Sequence, residues 1–225
     1  MTRLNTLPSG TPSSSTLTST TGKPTTGRGL SDVWLYMRKL WRHGLSVAAM
    51  KPSSKALAAA HCHHVDVSKP QVIVEIGAGT GAVTRAVIDR MHPQSRLVAV
   101  EIDPEFAALL QLRCPEAIVL SCDARELPQK LNELGIDRID LMISCIALPY
   151  VPAVVNEAIF GCFEKMGQNA VFTQQTLVPL VYRKMYHRLF DEVKFRFVPA
   201  NLPPGGVYHC RHLKKNYHKH VPGKR

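Results

Sequence analysis

The stretch Val72–Gly81, VIVEIGAGTG, decides the fold of this chain. Its apolar run is typical of a buried strand, and it ends in a turn that contains Gly77, Gly79 and Gly81. Glycine tolerates positive φ, so such a turn can be sharp and can approach a ligand closely. A helical pattern, AVTR, follows at once. The stretch therefore predicts the first strand, turn and helix of an open α/β sheet, with a ligand beyond the carboxyl end of the strand.

Acidic residues stand at the ends of three successive predicted strands. Glu75 lies just before the glycines, where a carboxylate suits a cation, such as the ammonium or sulfonium region of S-adenosylmethionine, better than a pyrophosphate. Glu101 ends the next strand about 26 residues later, one βαβ unit on, where it can bind a ribose diol. Asp123 follows the third strand, where it can accept from an adenine amine. A glycine turn or an acidic residue at a strand end also occurs in proteins without a ligand there. Here, however, three strand ends all indicate the same ligand.

Three segments in order, VIVEIGAGTGAVT, LVAVEIDPEFAALL and VLSCDAREL, resemble those of class I S-adenosylmethionine-dependent methyltransferases. The resemblance implies an α/β fold with a seven-stranded, mostly parallel, doubly wound sheet, and S-adenosyl-L-methionine as the cofactor. The residues that we expect to bind this cofactor are Ser53, Ser54, Glu75, Gly77, Gly79, Gly81, Glu101, Ile102, Asp123, Ala124 and Cys145.

The pattern of elements divides the chain into four regions. Residues 1–30 form a Ser/Thr-rich tail without acidic residues that we expect to be disordered, residues 31–64 hold N-terminal helices, residues 65–213 form the methyltransferase domain, and residues 214–225 form a basic tail. Strands and helices alternate as far as a strand at 169–174 and a helix near 178–190. Two late strands, near 192–198 and 206–212, predict an antiparallel hairpin at the edge of the sheet.

The charge of the chain favours anionic partners. Its 28 Lys and Arg against 17 Asp and Glu give a formal net charge of +11, which suits an anionic membrane surface or, less well here, a nucleic acid. Six scattered cysteines indicate reduced thiols of a cytoplasmic protein. No apolar run is long enough to span a bilayer, and no secretory signal is evident. We expect a monomer that associates peripherally with the membrane.

The loop after the fourth predicted strand, Cys145–Tyr150, bears on the methyl acceptor. Adenine-N6 methyltransferases of nucleic acid carry Asn-Leu-Pro-Tyr in this loop, and the Asn accepts a hydrogen bond from the base amine. This chain retains Leu148-Pro149-Tyr150 but has Ala147 in place of the Asn, and alanine cannot accept that bond. An rRNA adenine-N6 dimethyltransferase therefore remains an alternative that Ala147 argues against. A third alternative is a catalytically inactive RNA- or membrane-binding module, which the intact glycines and strand-end acids argue against.

Two further segments resemble the bacterial phospholipid N-methyltransferases, which act on phosphatidylethanolamine or on ornithine lipid. They are Pro52-Ser53-Ser54 after an N-terminal helix, and the late Asn201-Leu202-Pro203-Pro204. This resemblance implies N-methylation of the amine headgroup of a membrane lipid. The residues that we expect to contact the substrate are Leu148, Pro149, Tyr150, Tyr208 and Arg211.

Residues 31–43 have the pattern of an amphipathic helix that lies at a membrane surface. An apolar stripe with both tryptophans of the chain is combined with basic residues, which is typical of helices at the headgroup level. A helix that packs its stripe on the sheet is the alternative. The residues expected at the membrane are Trp34, Met37, Arg38, Lys39, Trp41 and Arg42.

Methyl transfer to an amine requires alignment and a neutral nitrogen lone pair, and it does not require a strong base. The Cys145–Tyr150 loop has no His or acidic residue to take the ammonium proton. We therefore name Tyr150 and Tyr36 as catalytic candidates that relay the proton to solvent. His61-Cys62-His63-His64 contains ligand types, but only His61 and His64 share a helical face, so no metal is expected.

Overall fold

The computed structural model describes residues 54–164 and 169–223. The expected tail (1–30), the membrane helix (31–43) and the terminal residues 224–225 lie outside these ranges. So do Ser53, Tyr36 and the six residues expected at the membrane: Trp34, Met37, Arg38, Lys39, Trp41 and Arg42.

The described chain alternates helices and strands as the sequence predicts. The strands are β1 (Val72–Ile76), β2 (Arg96–Glu101), β3 (Ile118–Ser121), β4 (Leu141–Ser144), β5 (Val171–Thr176), β6 (Phe190–Val198) and β7 (Gly205–Leu213). The helices are α1 (Lys55–His61), α2 (Ala82–Ile88), α3 (Pro104–Arg113), α4 (Leu127–Glu133), α5 (Ala153–Glu164) and α6 (Arg183–Leu189).

The strands form one seven-stranded sheet in the order β3-β2-β1-β4-β5-β7-β6. Strands β1 to β5 are parallel, and β7 is antiparallel to both β5 and β6. The predicted doubly wound sheet and the late hairpin are therefore confirmed. The last strand lies inside the sheet, next to β5, and β6 forms the edge.

Successive residues of the central strands face two separate cores, because side chains alternate across a sheet. Ile73 packs with α1, α2 and α3 on one face, and Val74 packs with α4, α5 and α6 on the other. Both residues are wholly buried. Strands covered on both faces explain why the sequence shows continuous apolar runs rather than an alternating pattern.

Two predicted helices begin later than the sequence pattern suggests. The sequence pattern predicts a helix over 125–134, but this segment starts as a 3₁₀ turn, Ala124–Glu126, where Asp123 and Glu126 form a capping box. The helix expected from 178 begins only at Arg183. The preceding loop contains Leu180 with φ 68°, a left-handed conformation that no helix can contain.

Candidate active site

The glycine turn lies between β1 and α2, at the carboxyl edge of the sheet. Gly77, Gly79 and Gly81 have φ of 76°, 55° and 88°, the left-handed region that favours glycine. A Cβ on Gly77 would lie 2.5 Å from Ile146 Cγ2, whereas a Cβ on Gly79 would have no heavy atom within 4 Å. Gly77 is therefore required by packing, and Gly79 faces open space on the ligand side of the turn.

Glu75 lies wholly buried beneath this turn. Thr84 Oγ1, in the first turns of α2, donates to Glu75 Oε2 at 2.7 Å, while Oε1 has no hydrogen-bond partner among the described residues. Burial raises the pKa of Glu75 to about 8, and the charge of Glu101 adds to this rise. An unpartnered buried carboxylate oxygen at this position fits a cationic ligand group.

Glu101 joins the end of β2 to the glycine turn. The Gly79 N–H donates to Glu101 Oε2 at 2.7 Å, and the Asp103 N–H donates to Oε1 at 3.0 Å. Each carboxylate oxygen can accept more than one bond, so capacity for a diol remains. Ile102 follows directly and is half-buried.

Asp123 and Ala124 follow β3 at the same edge. The Arg125 N–H donates to Asp123 Oδ1 at 2.8 Å, and the Arg125 guanidinium pairs with Oδ2 at 2.9 Å. Ala124 is buried. The Asp123 side chain thus stabilises the turn that follows it, Ala124–Glu126. Its contact with an adenine amine stays a prediction.

The two segments that the sequence singles out at opposite ends of the chain meet in the structure. The Ser54 N–H, at the N-cap of α1, donates to Asn201 Oδ1 at 3.2 Å, and Asn201 Nδ2 donates to the Pro203 carbonyl at 2.8 Å. Ser54 Oγ in turn accepts from the Leu57 N–H at 3.2 Å. Asn201 therefore connects the start of α1 to the loop between β6 and β7.

Two glutamines on β5 hold the backbone of the acceptor loop. Gln174 Nε2 donates to the Ile146 carbonyl at 2.7 Å, and Gln175 Nε2 donates to the Cys145 carbonyl at 3.1 Å. The Cys145 N–H donates to the Ile76 carbonyl at 2.9 Å, and burial raises the pKa of its thiol. Sequence reasoning missed both glutamines, although two amides within a buried apolar strand were the available signal.

The acceptor loop ends in a pair of tyrosines. Ala147 is exposed at the tip, and Pro149 is half-buried in the 3₁₀ turn Leu148–Tyr150 that follows it. Tyr150 is 41% exposed, and its hydroxyl accepts a 2.6 Å hydrogen bond from Tyr182. The sequence analysis did not identify Tyr182. The pair offers two hydroxyls at the mouth of the site.

Two residues expected to contact the substrate are buried in the structure. Leu148 is wholly buried in the core under the loop, and Tyr208 is wholly buried against the rings of Tyr186 and Phe195. These side chains form the wall that supports the site and present no surface to a ligand.

The position of Arg211 corrects its expected role. Because β7 runs antiparallel to β5, Gly206 lies at the carboxyl edge opposite Thr176, and Arg211 lies beyond the Cys210–Phe172 pair at the other edge. Five residues of strand correspond to about 17 Å. Arg211 is an odd number of residues from Tyr208 along β7, and side chains alternate between the faces of a strand, so the two side chains lie on opposite faces of the sheet. Arg211 therefore lies away from the acceptor loop, where we expected it to contact the substrate.

Residues 54–164 and 169–223 contain no group of three or more His, Cys, Asp and Glu side chains suited to a metal ion. None of their helices is long and apolar enough to cross a membrane.

Two comparisons with known proteins cover different lengths of the chain. A family model described as ribosomal RNA adenine dimethylase matches residues 53–119, which end at the start of β3. An ornithine lipid N-methyltransferase of Singulisphaera acidiphila is 36% identical over 192 residues, covering 84% of this chain and 100% of that protein. The first match therefore stops before the acceptor loop, and the second spans most of this chain.

Solved structures show the same fold at low identity. The 1,6-didemethyltoxoflavin-N1-methyltransferase of Burkholderia thailandensis, with S-adenosylhomocysteine bound, is 20% identical with a TM-score of 0.55, over 86% of this chain and 93% of its own. The O-methyltransferase TomG of Streptomyces achromogenes, in complex with S-adenosylmethionine, is 14% identical with a TM-score of 0.57, over 81% of this chain and 96% of its own.

Proposed function

Because the chain belongs to the family of S-adenosylmethionine-dependent methyltransferases that includes this ornithine lipid N-methyltransferase, we propose that it methylates the side-chain amine of an ornithine lipid. The observation that carries the proposal is the acceptor loop. Ala147 is exposed at its tip, where a nucleobase enzyme of this type would need a hydrogen-bond acceptor. The relative's match spans this loop, whereas the ribosomal RNA model match does not.

S-adenosylmethionine supplies an electrophilic methyl group, and we propose that the carboxyl edge of β1 to β3 holds this cofactor. The turn Gly77–Gly81 provides backbone that approaches closely, and Glu101 provides carboxylate oxygens for the ribose hydroxyls. Glu75 provides a buried carboxyl group for the cationic end, since its Oε1 has no other partner among the described residues. A positive charge placed beside this carboxyl group favours the loss of the proton that its raised pKa retains. In this proposal Asp123 and Ala124 lie beside the adenine ring of the cofactor.

In-line transfer of the methyl group requires the amine of the substrate to be held in a fixed orientation beside the edge of the sheet that holds the cofactor. Gln174 and Gln175 fix the backbone of the acceptor loop, so the loop presents a preorganised wall. The amine must lose a proton before it reacts. We propose that Tyr150 relays this proton to water, which its partial exposure and its hydrogen bond with Tyr182 support. The aromatic faces can also attract methylated ammonium products by cation–π contact.

A side-by-side methylation assay tests this proposal. Purified protein and radiolabelled S-adenosylmethionine are offered vesicles that contain ornithine lipid, vesicles that contain phosphatidylethanolamine, and ribosomal RNA. We expect label in ornithine lipid above all, and mass spectrometry then gives the number of methyl groups added. Label in RNA alone, or in phosphatidylethanolamine but not in ornithine lipid, would overturn the proposal.

A matched pair of variants tests the role of the loop. Tyr150→Phe removes the hydroxyl but keeps the ring, whereas Tyr182→Phe removes its hydrogen-bond donor. We expect Tyr150→Phe to lower kcat by roughly a hundredfold, at the low end of the range for general acid–base catalysis, and Tyr182→Phe to lower it less. Cofactor binding, measured by calorimetry, should be unchanged in both. Full activity in Tyr150→Phe would remove this residue from the mechanism.

A further inference from the structure

Exposed apolar side chains are concentrated at one place on the described surface. Six of its nine exposed large apolar residues lie at the edge formed by the carboxyl ends of β4, β5 and β6 and the start of β7, in the half of the sheet that holds the acceptor loop. We call these six residues the apolar rim: Tyr150, Val154, Leu180, Val181, Phe197 and Leu202. Apolar residues scattered singly need no explanation, whereas a cluster at a site mouth indicates an interaction surface.

The segments that carry the rim are neighbours in contact. Tyr150 and Tyr182 join the loops after β4 and β5 through their hydroxyls. A Cβ on Gly205 would lie 2.7 Å from the Thr176 carbonyl oxygen and 3.2 Å from Leu177, so the loop after β5 also packs against the start of β7. The loops after β4 and β5 and the start of β7 are therefore in contact with one another along this edge.

Positive charge predominates around the rim, although the half-buried Glu157 lies one turn after Val154 on α5. Residues 145–156, 171–190 and 193–225 contain no Asp or Glu. Arg183 and Lys184 follow two and three residues after Val181, and Arg196 directly precedes Phe197. All three cations are exposed, and among the described residues none forms an ion pair with a carboxylate. The cofactor half of the same edge carries the acids instead, including Glu101 and Asp123.

Leu180 is held in the left-handed region, with φ 68°, and its side chain is 57% exposed. This conformation is costly for a leucine, and the folded domain gains little in return from an exposed side chain. The presence of a leucine at position 180, despite this strained backbone, is explained if its side chain is buried in a partner. A partner that accepts apolar side chains together with unpaired cations is an anionic lipid surface.

From these observations we propose that the apolar rim inserts at the headgroup–acyl boundary of an anionic bilayer. This docking places the mouth of the site against the membrane, so that a lipid amine reaches the acceptor loop without leaving the bilayer. The inference rests on the proposed lipid substrate and adds a surface on the folded domain that does not depend on residues 31–43.

The test uses the full chain with the double variant Leu180→Asn and Val181→Asn. Asn tolerates positive φ better than leucine, so this change removes apolar surface without adding strain at position 180. The matched control is Leu112→Asn with Val67→Asn, a leucine and a valine that are 81% and 68% exposed outside the rim. Binding to vesicles of phosphatidylglycerol and phosphatidylcholine is measured by cosedimentation.

We expect the rim variant to bind vesicles roughly tenfold more weakly, which is about 1.4 kcal/mol, and the control to bind like the wild type. The KM for vesicle-presented ornithine lipid should rise in the rim variant, while kcat on detergent-dispersed lipid and cofactor binding stay unchanged. Equal vesicle binding by the rim variant and the wild type, or a rim variant that loses affinity for RNA and not for vesicles, would overturn the inference. Lipid that the wild type also fails to methylate in detergent would instead contradict the proposed function.

Discussion

At the scale of the single residue, Glu75 shows how a binding group is maintained at a cost in stability. Its pKa is raised from 4.5 to about 8 because it is buried. The folded protein therefore holds a proton that the unfolded chain releases above pH 4.5, so this residue lowers stability progressively as pH rises from 4.5 to 8. At pH 7 the cost is on the order of 3 kcal/mol.

The variant Glu75→Gln should remove that cost while keeping an acceptor for Thr84. We expect a higher free energy of unfolding at pH 7 than in the wild type, with the difference shrinking toward pH 5, together with weaker binding of S-adenosylmethionine. Urea unfolding at both pH values and calorimetry measure the two effects. A variant that is less stable than the wild type at pH 7 would contradict this account.

Gly79 allows a second prediction at this scale, with a built-in control. Gly79 and Gly135 both have positive φ, 55° and 62°, and a Cβ on either would have no heavy atom within 4 Å. Substitution by Arg should therefore strain both positions alike, by about 1–2 kcal/mol. Only Gly79→Arg should abolish binding of S-adenosylmethionine in calorimetry, because only Gly79 lies in the proposed cofactor turn. Loss of binding in both variants would point to a general effect on folding.

At the scale of the element, the contact between α1 and β7 contains a cluster of histidines. His61 Nδ1 lies 2.9 Å from Thr173 Oγ1, and the rings of His64 and His209 are 5.0 Å apart. Burial lowers the pKa of His61 and His209 to about 3 and that of His64 to about 4. The charged and titratable neighbours that further disfavour protonation are His63, Lys194, Arg196 and Arg211.

This cluster predicts an acid-sensitive contact. Below pH 6.5 these histidines bind protons in the unfolded chain but not in the folded protein, where they are buried. The free energy of unfolding therefore falls as pH decreases from 6.5 toward 4, and it is not affected by these histidines above pH 6.5. Each buried histidine should lower the free energy of unfolding by about 2 kcal/mol at pH 5. Urea unfolding at pH 7.5, 6.5 and 5.5 measures the slope, and His209→Gln should reduce it by about one proton. An unchanged slope would show that His209 is accessible to protons in the folded state.

At the scale of the whole molecule, the distribution of charge predicts how the chain meets a surface. The net charge is +11, and the tryptophans are both in the segment expected to lie at the membrane, at positions 34 and 41. Tryptophan fluorescence should therefore shift to the blue when anionic vesicles are added. The binding should weaken as salt rises, because the Debye length falls from about 10 Å at 0.1 M to about 3 Å at 1 M. Vesicle binding without a fluorescence shift would show that residues 31–43 do not enter the membrane.

Local sequence was enough to predict the cofactor half of the fold. The glycine turn, the strand-end acids Glu75 and Glu101, and the alternation of elements depend on features that each residue carries itself, such as tolerance of positive φ or an apolar period. The late hairpin was equally predictable, because two strands without a helix between them can pair directly.

The acceptor half depended on contacts that no local pattern contains. Ser54 and Asn201 are 147 residues apart, and Tyr150 and Tyr182 are 32 apart. Strand β7 lies between β5 and β6, and this order and register place Arg211 at the far edge of the sheet. Sequence alone determined which residue types the site needs, while the tertiary structure decided which of them share an edge and a face, because strand order and register arise from packing of the whole sheet.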